Sequence, residues 1–480
     1  MESIKEFIIE DSKSLKEALI VINKNGCGLC FVVKNKKLLG VITDGDLRRY
    51  FLNKNNLDCN ISQVMNKSFV YLHVQTDSSI IRNSFRENIK YIPLIDDDFN
   101  LVDIASIDKT HRIPILEPDL SGNEMNYVKE CIKTNWISSQ GKFVRKFETL
   151  FSKLHQDRYS ISVSNGTTAL HLALRTLDIG MGDEVIVPNI TFAACANVVI
   201  QTGAKPVFCE IDKKTWCISP KEIELLISPK TKAVMVVHLY GQVAEVQKIR
   251  EICLKNKIYF LEDCAEAIGS SFDGEPVGVF GDIASFSFFG NKTISTGEGG
   301  MLLFKDKSLA EKSRILRDHG MNPDIKYWHE VAGYNYRLTN MQAAVGLAQL
   351  ERFESIVEKK ITISNWYKEN LNNCKGISQK PLSLKLVKHS NWLFTVVLDH
   401  YVNKDEVIKN LFELGIESRR VFYPLNVMPP YSQYKSSRNL ENSEYIANQG
   451  LSLPSSVNLQ KSDIDFISKC LKKILINQIN

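Results

Sequence analysis

The chain has 480 residues, of which 44% are hydrophobic, and its formal net charge at pH 7 is +5. This length predicts two or three domains, and the hydrophobic fraction is typical of a soluble globular protein. Since the charge is small and no basic cluster stands out, the composition gives no reason to expect nucleic acid as a partner.

The N-terminus and the cysteines indicate a cytoplasmic protein. Residues 1–14 carry acidic groups where a signal peptide would be basic, and the longest apolar runs have the length of a strand rather than of a membrane span. The eleven cysteines are scattered along the chain, which is typical of reduced thiols. Cys27 and Cys30 form a C-x-x-C, but no second pair follows at zinc spacing, so we expect a buried strand and no metal site.

The first 110 residues contain an internal repeat of about sixty residues. A helix pattern over 14–26 precedes strand patterns at 29–34 and 38–43, with a polar turn between the strands. A weaker copy follows as a helix pattern over 78–90 and two strand patterns within 91–106. The repeat predicts two similar α/β units in tandem.

The first copy carries the motif G-V-I-T-D-G-D-L-R, which resembles the signature of CBS domains. CBS domains occur in pairs, and they often bind adenine nucleotides. The resemblance implies that Thr43 and Asp46 contact the ribose and phosphate of such a nucleotide. The second copy lacks the matching Gly and Thr, so a nucleotide-sensing unit and a purely packing or oligomerising unit both remain open.

Two more domains are predicted beyond a linker at 111–118, where prolines interrupt the periodicity. Over 119–360, short apolar strands alternate with helices, which implies a mainly parallel sheet. Residues 361–480 form a smaller part that includes the apolar run W-L-F-T-V-V-L. The sequence therefore predicts an α/β fold with a large domain, a small C-terminal α/β domain and the N-terminal unit at 1–110.

The segment S-N-G-T-T-A-L, residues 164–170, joins a predicted strand to an amphipathic helix. Small residues at a helix start leave backbone N–H groups free, and the helix dipole favours an anion there, so a phosphate is the expected guest. The same residues also serve as ordinary helix caps in many proteins, and the motif alone does not separate the two interpretations.

Two further residues follow predicted strands, at the edge where an open α/β sheet binds its ligands. Asp263 comes just after one strand, where its carboxylate caps a helix or pairs with a cation such as a pyridinium nitrogen. Lys292 follows another strand, and its surroundings fit neither G-x-x-x-x-G-K-[ST] nor G-x-G-x-x-G. A lysine in this position can instead form a Schiff base with an aldehyde. A phosphate cradle, a carboxylate and a lysine together predict pyridoxal 5′-phosphate (PLP) as the cofactor.

Three motifs resemble those of the DegT/DnrJ/EryC1/StrS family of PLP-dependent sugar aminotransferases: S-F-S-F-F-G-N-K-T-I-S-T-G-E-G-G, E-D-C-A-E-A-I-G-S and S-N-G-T-T-A-L. The resemblance covers roughly 112–480 and implies fold type I, with a mainly parallel seven-stranded sheet. It implies that Lys292 is the Schiff-base lysine and that Asp263 pairs with the ring nitrogen. The other implied cofactor contacts are Glu266 near O3′, Phe192 on the ring, and Gly166, Thr167 and Ser287 at the phosphate.

The segment G-Y-N-Y-R-L-T-N, residues 333–340, resembles the family loop that reaches into the active site of a neighbouring subunit. The resemblance implies a homodimer, or a higher homo-oligomer, with shared active sites. In such an oligomer, the resemblance implies that Asn335 contacts the phosphate and that Arg337 lies near the substrate. Tyr423 and Asn426, in Y-P-L-N, are implied substrate contacts, although the family often has His where Asn426 stands.

Four phrases narrow the resemblance to family members that use glutamate to aminate GDP-4-keto-6-deoxymannose at C4: N-W-I-S-S-Q-G-K, E-D-C-A-E-A-I-G-S, Y-W-H-E-V-A-G-Y-N-Y-R-L-T-N and R-R-V-F-Y-P-L-N-V-M-P-P-Y. A UDP- or dTDP-linked keto-sugar and a non-catalytic ligand-sensing protein remain alternatives. Lys292 argues against the related dehydratases, which have His in its place.

Overall fold

The computed structural model describes residues 4–479 apart from 53, 55, 77–79, 82–83, 86–88, 107–112, 383 and 435–437. The contacts divide the chain into two compact units, Met1–Ile113 and Pro114–Asn480. Among the residues described, no helix combines the length and apolar character needed to cross a membrane.

The described part of the N-terminal unit contains two three-stranded sheets of the same topology, as the predicted repeat implies. In each, the central strand pairs in parallel with the strand before it and antiparallel with the strand after it. Side chains from both sheets share a hydrophobic cluster, among them Phe31 of the first copy and Ile104 of the second. The strands are β1 (Ile8–Glu10), β2 (Leu29–Lys34), β3 (Lys37–Thr43), β4 (Leu72–His73), β5 (Tyr91–Ile95) and β6 (Leu101–Ser106).

Two helices of this unit each begin after a residue that forms a capping box. Helix α1 (Leu15–Asn25) starts after Ser14, which forms a capping box, and stops at Gly26 in the left-handed region with a φ of 64°. Helix α2 (Asp44–Phe51) starts after Thr43.

Part of the second copy falls outside the described residues. The helix predicted over 78–90 includes 78–79, 82–83 and 86–88, which are not among them. In the first copy, Cys30 is buried in β2, where the sequence predicts a buried strand.

A seven-stranded sheet forms the centre of the C-terminal unit, as predicted. Its order is β7-β15-β14-β11-β10-β8-β9, and all strands run parallel except β15, which is antiparallel to both neighbours. The strands are β7 (Tyr159–Val163), β8 (Glu184–Pro188), β9 (Lys205–Cys209), β10 (Thr231–Val237), β11 (Tyr259–Asp263), β12 (Ser271–Phe272), β13 (Glu275–Pro276), β14 (Ile283–Ser287) and β15 (Gly300–Phe304), of which β12 and β13 belong to a separate small sheet.

Helices cover the sheet, which explains why its strands are continuous apolar runs. Residues 233–237 of β10 are all buried, as expected for a parallel strand packed on both faces. The helices are α3 (Glu124–Lys133), α4 (Lys142–Leu154), α5 (Gly166–Thr176), α6 (Ala194–Gln201), α7 (Pro220–Leu226), α8 (Val246–Asn256), α9 (Lys307–Arg317), α10 (Asn340–Glu351), α11 (Phe353–Asn370), α12 (Lys404–Glu413), α13 (Glu441–Gln449) and α14 (Lys461–Ile479). Short 3₁₀ segments lie at Ile4–Glu6, Ile61–Gln63, Leu239–Gly241, Leu425–Val427 and Pro429–Tyr434.

A smaller antiparallel sheet, in the order β16-β18-β20-β19, lies in the last part of the chain, and helices α11 and α14 pack against each other there. Ile115, inside the predicted linker, is buried in the core of this unit; its N–H donates to Glu417 and its carbonyl accepts from Ser455. The strands are β16 (Ile377–Gln379), β17 (Val387–Lys388), β18 (Phe394–Leu398), β19 (Arg419–Arg420) and β20 (Gly450–Leu453), with β17 pairing to β12.

Candidate active site

Lys292 lies in the turn that follows β14, with its backbone N–H donating to the carbonyl of Phe289 at 2.9 Å. The side chain is only 12% exposed, and its Nζ is 3.7 Å from Oε1 of Glu266. Burial lowers the pKa of Lys292 from its ordinary value, and the nearby carboxylates of Glu266 and Asp263 oppose that shift. The structure therefore presents a desolvated amine, which can take up and release a proton more easily than a surface lysine.

Glu266 lies in the turn after β11 and is also buried. Its Oε2 accepts a hydrogen bond from the backbone N–H of Tyr240 at 3.0 Å, while Oε1 faces Lys292. Burial raises the pKa of Glu266 to about 7, although Lys292 and the Tyr240 N–H act in the opposite direction. A carboxyl group of this kind can hold or release a proton near neutral pH.

Asp263 is the last residue of β11, and three donors hold its carboxylate. Oδ2 accepts from the thiol of Cys195 at 3.2 Å, and Oδ1 accepts from the N–H of Ala265 at 3.1 Å and, at 3.5 Å, from the hydroxyl of Ser285. Ser285 sits opposite Asp263 on the neighbouring strand β14. These contacts fix the carboxylate at the edge of the sheet where the turn of Lys292 also lies.

The residues of the predicted phosphate cradle lie close together where α5 begins beside the end of β14. A Cβ on Gly166 would lie 2.8 Å from the Cβ of Ser287, so only glycine allows this approach. Gly300, which pairs with Ser287 from β15, is similarly close to the carbonyl of Asn165. Thr167 follows Gly166 in the first turn of α5, and the backbone N–H groups of such a turn have no partner within the helix. The arrangement is suited to an anion.

Phe192 lies just before α6, one turn from Cys195, whose N–H donates to the carbonyl of Phe192. The residue is 59% exposed, and its ring centroid lies 6.0 Å from that of Phe422. Tyr423 is also exposed, and its hydroxyl accepts a hydrogen bond from Arg420.

Asn426 is buried, whereas a side chain that meets substrate in an open cleft would be exposed. Its backbone N–H donates to Oδ1 of Asn189 at 3.0 Å, and Leu425 donates to the carbonyl of the same residue. The segment that follows Tyr423 is thereby attached to the end of β8. A direct contact of Asn426 with substrate stays a prediction.

The loop at 333–340 runs beside the phosphate cradle. The N–H of Ser164 donates to the carbonyl of Tyr336 at 2.8 Å, which ties the loop to the end of β7. Asn335 is exposed, and Arg337 pairs with Asp318 at 2.9 Å and donates to Oδ1 of Asn335. The roles predicted for Asn335 and Arg337 require a second subunit and stay predictions.

Three residues that the sequence analysis did not single out complete the surroundings of Lys292. Cys195 supports Asp263, and burial together with that carboxylate raises the pKa of its thiol well above the ordinary value. Tyr240 supports Glu266, and Trp392 covers Lys292, with Nζ 3.8 Å from the ring centroid. Trp392 and Cys195 stand in apolar segments that give no local signal beyond burial.

The aromatic residues next to Lys292 differ in part from what the sequence predicts. The run A-S-F-S-F-F, residues 284–289, predicts a strand that includes Phe288 and Phe289, but β14 ends at Ser287. Phe288 is fully buried against Phe147 and Phe151, whereas Phe289 is 47% exposed.

One buried cluster near the site has ligand chemistry, but the side chains of two of its three members are hydrogen-bonded within the fold. Suitable atoms of His238, Glu262 and Cys264 lie within 4.8 Å of one another. Glu262 accepts hydrogen bonds from the backbone at 278, 280 and 281, and it also faces Nε2 of His238. Nδ1 of His238 accepts from Ala244. The cluster therefore acts as a hydrogen-bonded support beneath β11.

In the N-terminal unit, Thr43 and Asp46 bond to each other as the capping box of α2. The Thr43 hydroxyl donates to Oδ2 of Asp46 at 2.7 Å, and the N–H of Asp46 donates back to the hydroxyl at 3.3 Å. Asp46 also pairs with Arg49. Their predicted contact with a nucleotide stays a prediction.

The residues of the C-terminal unit fit PLP in chemistry and in placement. A desolvated amine, a supported carboxylate and a phosphate cradle lie at one edge of the sheet, on or beside β11, β14 and the start of α5. Lys292 could bind the aldehyde, Asp263 the ring nitrogen, and Gly166, Thr167 and Ser287 the phosphate.

Comparison with known proteins agrees with this fit. A profile described as the DegT/DnrJ/EryC1/StrS aminotransferase family matches residues 118–472, and a CBS domain profile matches residues 3–53. GDP-perosamine synthase from Caulobacter vibrioides is 44% identical over 367 residues, which are 76% of this chain and 99% of that protein. The protein of the same name from Escherichia coli O157:H7 is 42% identical over 361 residues, covering 75% and 98% of the two chains.

A solved structure shows the same architecture. The PLP form of a Streptococcus pneumoniae protein aligns with a TM-score of 0.73 at 26% identity, covering 77% of this chain and 100% of that one.

Gly166→Ala should weaken the binding of PLP. The added Cβ would lie 2.8 Å from the Cβ of Ser287, so the start of α5 or the end of β14 must shift. Such a shift displaces backbone N–H groups that would hold the phosphate, and losing one hydrogen bond to a charged group costs about 1.5 kcal/mol, which is a rise of roughly tenfold in the dissociation constant of PLP. Titration of PLP-free protein with PLP, followed by the absorbance of the bound cofactor, measures that constant.

Gly180→Ala is the matched control, because its Cβ would lie 3.4 Å from the carbonyl oxygen of Thr202, an ordinary contact distance. If the wild type and Gly166→Ala bound PLP with equal affinity, the close contact between Gly166 and Ser287 would not be part of the phosphate site.

Glu266→Gln should remove a pH dependence of stability between pH 4.5 and 7. Glu266 has a pKa of about 7 in the folded protein because burial penalises its charged form, whereas its ordinary value is 4.5. Between these values the folded state holds a proton that the unfolded chain has released, so the free energy of unfolding falls as pH rises. The slope from this group approaches about 1.4 kcal/mol per pH unit.

Urea unfolding across pH 4.5–7 measures this slope as the difference between the wild type and the variant. Glu251→Gln, on the exposed side of α8, serves as the control. If the difference in the free energy of unfolding between the wild type and Glu266→Gln did not change with pH, Glu266 would not be the group that holds this proton in the folded state.

Proposed function

Because the chain belongs to the DegT/DnrJ/EryC1/StrS aminotransferase family and is a PLP-dependent sugar aminotransferase, we propose that it transfers the amino group of glutamate to C4 of a GDP-linked 4-keto-6-deoxyhexose. The expected substrate is GDP-4-keto-6-deoxymannose, and the expected product is GDP-perosamine. The observation that carries this proposal is the likeness to two GDP-perosamine synthases, which extends over 99% and 98% of their lengths.

The candidate site supports amino transfer over a ligand-sensing role. A protein that only binds sugar nucleotides has no use for a desolvated lysine beside a carboxyl group of raised pKa. Lys292, Glu266 and Asp263 are held together by contacts from separate segments, as expected for groups that take part in a reaction.

When bound, PLP supplies an aldehyde that takes up an amino group and a ring that accepts electrons from the carbon next to it. Asp263 would keep the ring nitrogen protonated, since its carboxylate is fixed by Cys195 and Ala265. The first turn of α5 would hold the phosphate, and Phe192, with its exposed ring, would lie against the cofactor ring.

Lys292 would move the proton between the reacting carbon atoms. Its Nζ lies 3.7 Å from Oε1 of Glu266, an ion-pair distance, and Glu266 would act as a proton reserve near neutral pH. Trp392 and Tyr240 are both buried and keep water away from this pair. Exclusion of water strengthens the electrostatic coupling between the two groups.

We include in the proposal a homodimer, or a higher homo-oligomer, in which the loop at 333–340 contributes Asn335 and Arg337 to the site of a second subunit. The exposed aromatic residues of the preceding segment, Tyr327 and Trp328, support this arrangement because exposed apolar groups of that size favour an interface. We also place the reaction in the cytoplasm, since all eleven cysteines are free thiols.

Lys292→Ala should abolish the amination of GDP-4-keto-6-deoxymannose by L-glutamate. The variant lacks the amine that would bind the aldehyde and move the proton, and a loss of at least about 10³-fold in kcat is expected for a group with both roles. Mass spectrometry of the sugar nucleotide and of 2-oxoglutarate measures the reaction. Lys292→Arg, which keeps a positive charge without a nucleophilic amine, should be equally inactive.

The same assay separates the alternatives. Wild-type protein is incubated with GDP-, UDP- and dTDP-linked keto-sugars under the same conditions. Faster amination of a UDP- or dTDP-linked sugar would replace the proposed substrate while keeping the reaction. No product from any of these sugars, with no visible absorbance on addition of PLP, would favour the non-catalytic alternative.

For the N-terminal unit, we propose that the first CBS-like copy binds an adenine nucleotide through Thr43 and Asp46, as its match to the CBS profile supports. Thr43→Val keeps the side-chain shape but removes a hydroxyl, so it should weaken AMP or ATP binding at least about tenfold in calorimetric titrations of the full chain. Because Thr43 also caps α2, the thermal midpoint of the variant is measured alongside.

Thr176→Val, at a buried hydroxyl of the other unit that bonds only to a helix carbonyl, is the matched control. If neither nucleotide bound the wild-type chain, the packing or oligomerising alternative would stand instead. Deletion of 1–113 would then change the mass of the assembly in light scattering.

A further inference from the structure

Trp392 makes two separate contacts with the turn of Lys292. The amine lies over the ring, with Nζ 3.8 Å from the centroid, well within the range of a cation–π interaction. The indole N–H donates to the carbonyl of Asn291 at 2.6 Å, so the same side chain also holds the peptide directly before the lysine. A residue that served only to fill the core would need neither contact.

The ring of Trp392 is itself fixed by stacking. Tyr240 lies parallel to it, with centroids 5.8 Å apart and an angle of 9° between the planes, and Phe422 in turn stacks on Tyr240 at 5.7 Å and 11°. Trp392 is 5% exposed. The ring therefore has little freedom to leave the amine.

The backbone around Tyr240 supports the same geometry. Tyr240 has a φ of 54°, a conformation that costs a bulky residue about 1–3 kcal/mol and indicates a constrained site. This conformation directs its N–H to Glu266 while its ring stacks on Trp392. Next to it, a Cβ on Gly241 would lie 2.8 Å from the backbone nitrogen of Asn391, so the two segments are in direct contact.

Four residues form a closed ring of contacts that includes the amine. Lys292 faces Glu266, Glu266 accepts from Tyr240, Tyr240 stacks on Trp392, and Trp392 covers Lys292. The titratable groups that act on the amine are Glu266, Asp263 and Cys195. Burial of the amine disfavours its charged form, whereas the electron-rich face of the indole favours it.

We propose that Trp392 is a positioning residue that holds the free amine of Lys292 as an ammonium group between its ring face and Glu266. The ring thereby sets the proton affinity of the lysine whenever the amine is not attached to the cofactor, and the indole N–H keeps the turn in place. This inference deepens the proposed function and rests on it for the identity of the cofactor. The test measures only the protonation of Lys292, so it needs neither the cofactor nor the sugar substrate.

The experiment replaces the tryptophans of the full-length chain biosynthetically with analogues that carry one, two or three fluorine atoms. Fluorine withdraws charge from the ring face but barely changes the size of the ring, so the exclusion of water is preserved. The protein is freed of PLP and treated with a trace of acetic anhydride between pH 6 and 10. Mass spectrometry of the peptide that contains Lys292 gives its acetylation against pH, and hence its apparent pKa.

The apparent pKa of Lys292 should fall stepwise with the number of fluorine atoms. The total fall is bounded by the whole cation–π contribution, which corresponds to about 0.5–1.5 pH units. Lys359, which lies 4.8 Å from the ring centroid of Trp366 nearer the surface, provides an internal comparison with a smaller expected shift.

Trp392→Phe, prepared with the same fluorinated tryptophans, is the matched control. The other four tryptophans remain labelled, so the dependence on fluorine should disappear at Lys292 and persist at Lys359. An apparent pKa of Lys292 that ignores fluorination in the native sequence, or that shifts equally in Trp392→Phe, would overturn the inference.

The test remains distinguishable from that of the proposed function. If the protein failed to aminate any sugar but kept the fluorine dependence, only the proposed function would fail. If it aminated the sugar without that dependence, only the role of Trp392 would fail.

Discussion

A positive charge that is taken out of water needs partners held close to it, and Lys292 imposes this requirement on the whole candidate site. An unpaired buried ammonium group would cost several kcal/mol. The partners are Glu266, from the turn after β11, and Trp392, from the chain just before β18. Tyr240, from the segment after β10, contacts both of them. The site is therefore complete only when the large sheet and the C-terminal sheet have both formed.

Strand order and close backbone contacts bring the remaining groups of the candidate site together. β11 and β14 are neighbours in a parallel sheet, so their carboxyl ends bring Asp263 and Ser287 to the same edge. Glycine at 166 lets the first turn of α5 approach Ser287, and glycine at 300 lets the same turn approach β15. The charge-bearing side chains and the anion cradle thus meet through strand order and close backbone contact.

The sequence predicts those features that have a local signal. Strand and helix patterns alternate, so the parallel sheet could be predicted, and the family resemblance added its seven strands. Small residues after a strand marked the start of α5, and Asp263 and Lys292 were identified because each follows a predicted strand. The match to the DegT/DnrJ/EryC1/StrS family confirmed the fold and the cofactor.

Other features depend on contacts that no local pattern contains. Trp392 stands one hundred residues beyond Lys292 in an apolar run, where it resembles any core residue, and the left-handed backbone of Tyr240 has no glycine to mark it. Cys195 looks like an ordinary buried thiol until the fold brings it to Asp263. The contacts predicted for Asn335, Arg337 and Tyr423 involve a second subunit or a sugar, which a single chain does not contain.

The conformation of Tyr240 also affects attempts to engineer the protein for heat resistance. An engineering strategy that replaces strained residues would select Tyr240 early for substitution by glycine, since glycine adopts a φ of 54° without penalty. Glycine would keep the N–H that binds Glu266 but would remove the ring on which Trp392 rests. The strain at Tyr240 therefore serves the candidate active site, and a set of stabilising substitutions should leave this residue unchanged.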